Sequence, residues 1–342
     1  MHTTSLATEA PPRSRDGRIT ALPSGQLHAL EPVALSATRA AALACQHWVG
    51  RGAAHAADGA ATEAMRAALG VARGSGTVVI GEGAKDEAPM LFDGERVGDG
   101  RPPRFDIAVD PLECTKLCAR GLPGSLATIA FAEADTMAAI GAAHYMDKLV
   151  GPPALRDAID IGDTPEANLK RCAEVLDKPC EELRVIVLDK PRHEELIQRL
   201  HLAGGRVTSP PDGDVAGSLA ALLPGGGADL LMGVGGTPEG VMTACAVRAL
   251  GGCMQGRLTP QRPEEADAAA AAGLSTERIY HAEDLVRGES FFVATGVTGG
   301  GLLRRPWISG GQVCTESIVI AAGAVRRVVE ARPAEALGEE LR

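Results

Sequence analysis

Aromatic side chains are scarce: two Trp, two Tyr and five Phe make up 3% of the 342 residues. That excludes a base-stacking platform for single-stranded nucleic acid as the main working surface. Net positive charge is also missing. The formal charge is −10 at pH 7, whereas duplex affinity comes mainly from neutralising phosphates, so nucleic acid is not an expected partner. A small phosphorylated molecule stays open, because it needs only a local cationic pocket. None of the eight cysteines, at 45, 114, 118, 172, 180, 245, 253 and 314, falls in a C-x-x-C pair. Zinc-ribbon and thioredoxin readings therefore lack support. There is no secretory apolar segment and no apolar run long enough for a membrane span. The expectation is a reduced, cytoplasmic protein with free thiols and no membrane partner.

What is present is ordinary for a globular protein: 45% hydrophobic and 23% charged residues, in a length that suits two or three domains at most. Residues 1–30 carry Thr, Ser, Pro and Arg without apolar periodicity and read as a disordered tail. Apolar spacing predicts a helix over 36–54, and a second after Asp58, which can cap it. Strands are predicted at 77–83, 105–110 (stopped by Pro111), 126–133 and 138–145. Beyond a soft boundary near 155–165, helices and strands alternate: helix 165–176, strand 183–189, helix 192–205, helix 214–223, strand 228–236 and helix 238–252. Residues 260–275 read as surface, and 291–296 and 317–331 as late strands. The division is a tail at 1–30 and sub-domains at 31–160 and 161–342.

Four acidic residues fall where strands end: Glu82, Asp110, Glu113 three residues on, and Glu239 after a glycine turn. Such carboxylates project into the crevice where α/β sheets bind ligands. Converging carboxylates repel one another and persist if a cation sits between them. Oxygen ligands with no His or Cys cluster select Mg²⁺ or Mn²⁺ over zinc. In the run Asp110-Pro111-Leu112-Glu113-Cys114-Thr115, a hydroxyl lies beside two acids, and a short helix opening there would offer backbone N–H groups to a phosphate. Alone, this run is an ordinary capped turn. Gly233–Gly240 mimics a dinucleotide loop without the full glycine spacing. Asp212-Gly213-Asp214 mimics a calcium loop but lacks its closing glutamate. His193 reads as a helix-opening residue and Cys118 as a small core residue.

The combination is more specific. ADGAA (57–61), VVIGEG (78–83), DEAPMLFDGERVG (86–98), DIAVDPLECT (106–115), YMDKLVGP (145–152), KPRHEELI (190–197), PDGDVAGS (211–218) and GVGGTPEGVM (233–242) occur in that order. Together they resemble the class II, bacterial-type fructose-1,6-bisphosphatases, among the lithium-sensitive, metal-dependent sugar and inositol phosphatases. The resemblance runs from about Ser36 to about Val329. It implies a layered α-β-α-β-α sugar-phosphatase fold, α+β in its metal-binding part and α/β in its substrate-binding part, with the active site between them. It also implies hydrolysis of the 1-phosphate of fructose 1,6-bisphosphate, or the same chemistry on another phosphosugar, and a dimer or tetramer. A third possibility is a catalytically weak phosphosugar-binding relative.

By the resemblance, Glu82, Asp110, Glu113, Glu239 and the Leu112 carbonyl hold Mg²⁺ or Mn²⁺. Asp58 and Thr115 orient and deprotonate the attacking water. Tyr145, Lys190 and Arg192 hold the phosphate that is not cleaved, Asp212 and Asp214 bind sugar hydroxyls, and Cys114 touches the substrate. The chain departs from the family pattern in two places. Cys114 stands where the family has Gly, which strains the turn if φ is positive there and is harmless if it is negative. Upstream, Ala53 and Ala54 replace an Asp and a Lys, with His55 the nearest substitute for the lost charge.

Overall fold

The computed structural model describes residues 26–83, 90–140 and 143–333. Along the chain run α1 (Glu31–Ala44), α2 (Ala54–Gly70), β1 (Ser75–Ile80), β2 (Arg96–Val97), β3 (Arg104–Glu113), α3 (Thr115–Arg120), β4 (Leu126–Glu133) and β5 (Tyr145–Gly151). Then come α4 (Pro165–Leu176), β6 (Arg184–Ile186), α5 (Glu194–Leu202), β7 (Arg206–Thr208), α6 (Asp214–Leu222), β8 (Leu230–Gly236) and α7 (Thr237–Leu250). The last elements are β9 (Cys253–Leu258), α8 (Pro263–Ala271), β10 (Ile279–His281), α9 (Ala282–Leu285), β11 (Ser290–Gly296), β12 (Trp307–Ser309), β13 (Gln312–Ala321) and β14 (Ala324–Pro333).

Two sheets organise the described residues. The first has eight strands in the order β12-β13-β11-β4-β3-β1-β2, with β14 paired to β13. The second has six, in the order β10-β9-β5-β8-β6-β7. The sheets are not consecutive stretches of chain. The chain enters the second sheet at β5 and returns to the first at β11.

Three apolar layers hold this together. Helices α1 and α2 cover one face of the first sheet, over a core that includes Leu27, Leu30, Phe105, Phe131 and Phe291. The Phe131 and Phe291 rings stack with centroids 4.9 Å apart. Helices α6 and α7 fill the space between the sheets with Val215, Leu219, Val241 and Met242, against Met146 of β5 and Phe292 of β11. Helices α4 and α5 cover the outer face of the second sheet around Leu149, Leu169 and Leu200. The result is the expected α-β-α-β-α stack. Burial on both faces explains why β4 and β11 read as unbroken apolar runs.

Several local expectations need correction. Order does not wait for Glu31: Leu27–Leu30 form a one-turn helix with both leucines buried. The predicted helix over 36–54 is α1, which starts earlier, with Pro32 in its first turn, and stops at Ala44. The left-handed glycines Gly50 and Gly52 separate it from α2. Asp58 does not cap α2. The helix begins four residues earlier, so Asp58 sits inside it. The strand expected at 138–145 begins only at Tyr145; residues 141 and 142 of that stretch lie outside the described residues, as do 1–25 and 86–89. The 317–331 segment is a hairpin, β13–β14, turning at Ala322 and Gly323, both with positive φ. Strand β3 does not stop at Pro111 but bulges through it.

Candidate active site

That bulge builds the acidic centre. In a regular strand, residues three apart point to opposite faces. Asp110 pairs with Thr128 and Glu113 with Leu126, so β3 spends three residues where β4 spends two. The extra residue, beside a proline that cannot donate to the ladder, returns Asp110 and Glu113 to one side. Asp110 Oδ1 accepts the Leu112 N–H at 3.0 Å, and the Thr128 hydroxyl donates to the Asp110 carbonyl at 3.2 Å. Both bonds lock the bulge.

Glu239 arrives from the other sheet, in the first turn of α7 just after β8. Its carboxylate folds back over Gly236, where a Cβ would lie 1.7 Å from Glu239 Oε2, so any larger residue would displace the carboxylate. Carboxylate oxygens of Asp110, Glu113 and Glu239 lie within 4.8 Å of one another. Glu239 Oε2 is buried and, among the described residues, has no hydrogen-bond partner. An unpaired buried carboxylate oxygen beside two further acids is the donor set of a hard divalent cation. The residues present therefore fit the metal that the sequence resemblance implies.

The electrostatics agree. Burial, then the charge on Asp110, pushes Glu113 well above the usual carboxylate range. Burial, then Asp214, pushes Glu239 up to about 7. Burial pushes Asp110 up to about 6. Glu82, in the loop after β1, is pushed up to about 9 by burial and then by Asp110, Asp58 and Glu239. It adjoins the trio without being one of the three groups inside 4.8 Å. Without a cation, this centre holds its charge poorly.

Thr115 opens α3 behind the trio. Its hydroxyl donates to the Leu112 carbonyl at 3.0 Å and reaches Asp58 Oδ1 at 3.5 Å. The Leu112 carbonyl, expected to face a metal, thus already accepts one hydrogen bond. Burial raises the Asp58 pKa, and the Thr115 contact opposes that rise. His55 is exposed on the first turn of α2.

Cys114 has φ +63° and ψ +48°, the left-handed conformation that glycine adopts without strain. The strained alternative posed by its sequence is the one the chain adopts. Its thiol donates to Glu113 Oε1 at 3.7 Å, and its carbonyl accepts the Ser125 hydroxyl at 3.0 Å. Burial, then the neighbouring Glu113 charge, drives the thiol pKa far up, so it stays protonated.

A cleft of about 560 Å³ joins this centre to the second sheet, and Tyr145, Lys190, Arg192, Asp212 and Asp214 line it together with the acids. Arg192 lies over the Tyr145 ring, 5.3 Å from its centroid, and Lys190 Nζ is 3.6 Å from Asp212 Oδ1. The cleft thus holds carboxylates and a cationic pair, a fork and a point charge. Every residue given a site role by the resemblance lines this cleft except Asp58 and Glu82.

Sequence reasoning missed Lys148. It is fully buried, ion-paired to Asp214, and donates to the Gly236 carbonyl at 2.8 Å. Asp214 therefore reaches the cleft already paired on one oxygen. The signal was available: Lys148 is in phase with Met146 and Val150, the inward face of β5. The 260–275 segment is also not plain surface. Arg262 and Glu265 line the cleft, and Glu265 is buried, accepting from the Gln261 N–H at 2.8 Å and Arg262 Nε at 2.9 Å. His144 completes that rim.

Comparison with known proteins adds an independent finding. Residues 28–332 match the family model described as bacterial fructose-1,6-bisphosphatase, glpX-encoded. The chain is 42% identical over 297 residues to a class 2 fructose-1,6-bisphosphatase of Haemophilus influenzae, covering 83% of this chain and 89% of that protein. It is 40% identical over 303 residues to fructose-1,6-bisphosphatase 1 class 2 of Escherichia coli K12, covering 83% and 88% respectively. Among the described residues, no helix is long and apolar enough to cross a membrane.

Proposed function

The chain belongs to the bacterial, class 2 fructose-1,6-bisphosphatase family, and from that premise we propose that it removes the 1-phosphate of fructose 1,6-bisphosphate, giving fructose 6-phosphate and phosphate. The observation that carries this reading is the cleft itself. Three carboxylates crowd within 4.8 Å of one another, and Tyr145, Lys190 and Arg192 line the same cleft. A substrate with two phosphates uses both groups.

In this reading Asp110, Glu113 and Glu239, with Glu82 beside them, hold Mg²⁺ or Mn²⁺. When bound, that cation supplies charge neutralisation at the phosphoryl oxygens and acidifies water. The chain's own groups do the rest. Lys190 and Arg192 take the distal phosphate, with the Tyr145 ring beneath the guanidinium. Asp212 and the free oxygen of Asp214 accept sugar hydroxyls. The Thr115 hydroxyl turns its single proton from the Leu112 carbonyl to Asp58 Oδ1, 3.5 Å away, gives it to that carboxylate and takes one from the attacking water in exchange. Phosphoryl transfer asks mainly for such positioning and charge stabilisation, with little covalent help.

The test is phosphate release from purified protein with Mg²⁺ or Mn²⁺ over a panel of sugar mono- and bisphosphates, with Glu113→Ala as the control. Metal-dependent release strongest on fructose 1,6-bisphosphate and absent in the variant is expected. Preference for another phosphosugar would keep the mechanism and move the substrate. No release from any, by a folded and metal-loaded protein, would overturn the enzymatic reading.

A further inference from the structure

His193 follows directly on Arg192, yet its ring turns away from the cleft and is 2% exposed. It makes two hydrogen bonds. Nδ1 lies 2.8 Å from the Leu188 carbonyl, and Nε2 lies 2.8 Å from the backbone nitrogen of Val234 in β8. A backbone N–H can only donate, so Nε2 is the acceptor and Nδ1 carries the proton that goes to Leu188. One neutral tautomer therefore ties both ends of the Lys190–Arg192 loop: Leu188 before it and β8 beside it. Strand β8 is shaped for the ring. At Gly233 (φ +121°) a Cβ would lie 3.0 Å from His193 Nε2, so a side chain there would strain the backbone and press the ring out of place.

Val234 is held on its other side as well, since its carbonyl accepts Arg192 Nη2 at 2.9 Å. The same strand carries the rest of the site. Gly236 is the register partner of Tyr145 in β5, and Glu239 follows three residues on. Gly236 thus lies beside Tyr145 and under the Glu239 carboxylate, while Val234, two residues earlier on the same strand, holds the His193 ring and Arg192. The cationic loop is fastened to β8 from its backbone end by His193 and from its guanidinium by Arg192.

We propose that His193 is a positioning residue that sets the distance between the distal-phosphate contacts, Lys190 and Arg192, and the acidic trio, and so selects a substrate with two phosphates over one with a single phosphate. It touches neither substrate nor reacting atoms. This deepens the bisphosphatase reading and rests on it.

A group that acts through the distal phosphate affects only substrates that carry one. The experiment therefore compares fructose 1,6-bisphosphate with fructose 1-phosphate, in Mg²⁺- or Mn²⁺-loaded wild type, His193→Asn and His193→Gln. Asparagine keeps a donor near the Nδ1 position and loses the acceptor for Val234, while glutamine keeps an acceptor near Nε2. Losing one buried hydrogen bond and freeing the loop should raise KM for the bisphosphate roughly tenfold in His193→Asn. kcat should change little, kcat/KM for fructose 1-phosphate should stay within about twofold, and His193→Gln should recover most of the loss. Equal losses on both substrates, or no loss on either, would overturn the proposal. If His193→Asn does not fold, as judged by its melting curve, the same comparison in His193→Gln decides, with a smaller but still bisphosphate-selective loss expected. A wild type with no preference for the bisphosphate would instead overturn the distal-phosphate reading beneath it. Each failure is recognisable by the protein that shows it.

Discussion

Replacing Glu113 by glutamine should stabilise the metal-free protein while abolishing its response to metal. At an effective dielectric of about 20, two unit charges 4.8 Å apart repel by about 3.5 kcal/mol. Three such pairs would cost about 10 kcal/mol, comparable with the whole stability of an ordinary protein at ~5–15 kcal/mol. Burial first, and neighbouring acids second, push Asp110 up to about 6, Glu239 to about 7 and Glu82 to about 9, so the metal-free centre binds protons and relieves part of this repulsion. Glutamine keeps the shape of Glu113 and removes two of the three repulsions. Allowing for the relief already taken, the gain at pH 8 should be on the order of 1–3 kcal/mol, or roughly 2–10 °C in melting temperature. The sign of the pH dependence follows from the direction of the shifts. Carboxylates whose folded pKa lies above the unfolded value bind more protons in the native state, so they favour folding at acid pH. That contribution is lost as pH rises through about 6, 7 and then 9. The advantage of Glu113→Gln should therefore be small at pH 5.5 and widen to pH 9. The assay is thermal unfolding in chelator across that range, repeated with excess Mg²⁺ or Mn²⁺. Wild type should gain about 2.7 kcal/mol at a metal concentration of about one hundred times Kd, and the variant should gain almost nothing. A chelated variant that melts below chelated wild type, or one still stabilised by metal, would refute the reasoning.

Lys148→Met should cost about 3–5 kcal/mol, because it leaves Asp214 buried without its counter-ion. Adding Asp214→Asn should recover much of that loss in urea unfolding, and a double variant no more stable than the single would show that the pair is not the cause. At position 114, glycine should be more stable than alanine by roughly 0.5–1 kcal/mol. The left-handed backbone costs an L-residue about 1–2 kcal/mol, offset in part by the larger unfolded-state entropy of glycine. Denaturation of Cys114→Gly and Cys114→Ala side by side measures this, and an alanine variant at least as stable would contradict the strained turn.

The layers of the fold were legible because its strands are buried on both faces and its helices are Ala-rich and evenly spaced. LATIAFAE and SFFVATG state their environment directly. What was not legible is the return of the chain at β11 to the first sheet, because strand pairing between residues 126–133 and 290–296 leaves no local mark. The cleft was legible in part. The acids, Lys190 and Arg192 carry chemistry in their side-chain types, whereas Lys148 and His193 act from buried positions where a lone residue type reads as packing. Arg262 and Glu265 were hidden by a polar, Ala-rich segment that resembles surface until α8 is seen folding over the rim.

Three departures from local rules cluster in one place, and that has a physical reason. Local rules expect a strand to end at proline, a residue in the left-handed region to be glycine, and an acid near a helix start to be its cap. Pro111, Cys114 and Asp58 break these rules, one each, and all three are in or beside the acidic centre. Each departure does something that regular structure cannot. The bulge at Pro111 turns two alternating side chains to one side. The left-handed turn at Cys114 ends β3 abruptly enough for α3 to begin at the next residue, Thr115. The early start of α2 moves Asp58 off the helix end and lets it face the Thr115 hydroxyl. Strain of about 1–3 kcal/mol per unusual backbone position is tolerable only where the surrounding structure over-determines it. Here the hydrogen bonds of Thr128 and Ser125 to the backbone of the loop, and the buried sheet beneath, supply that constraint. Local expectation fails where three elements must point at the same few cubic ångströms, and that failure is itself a marker of the site.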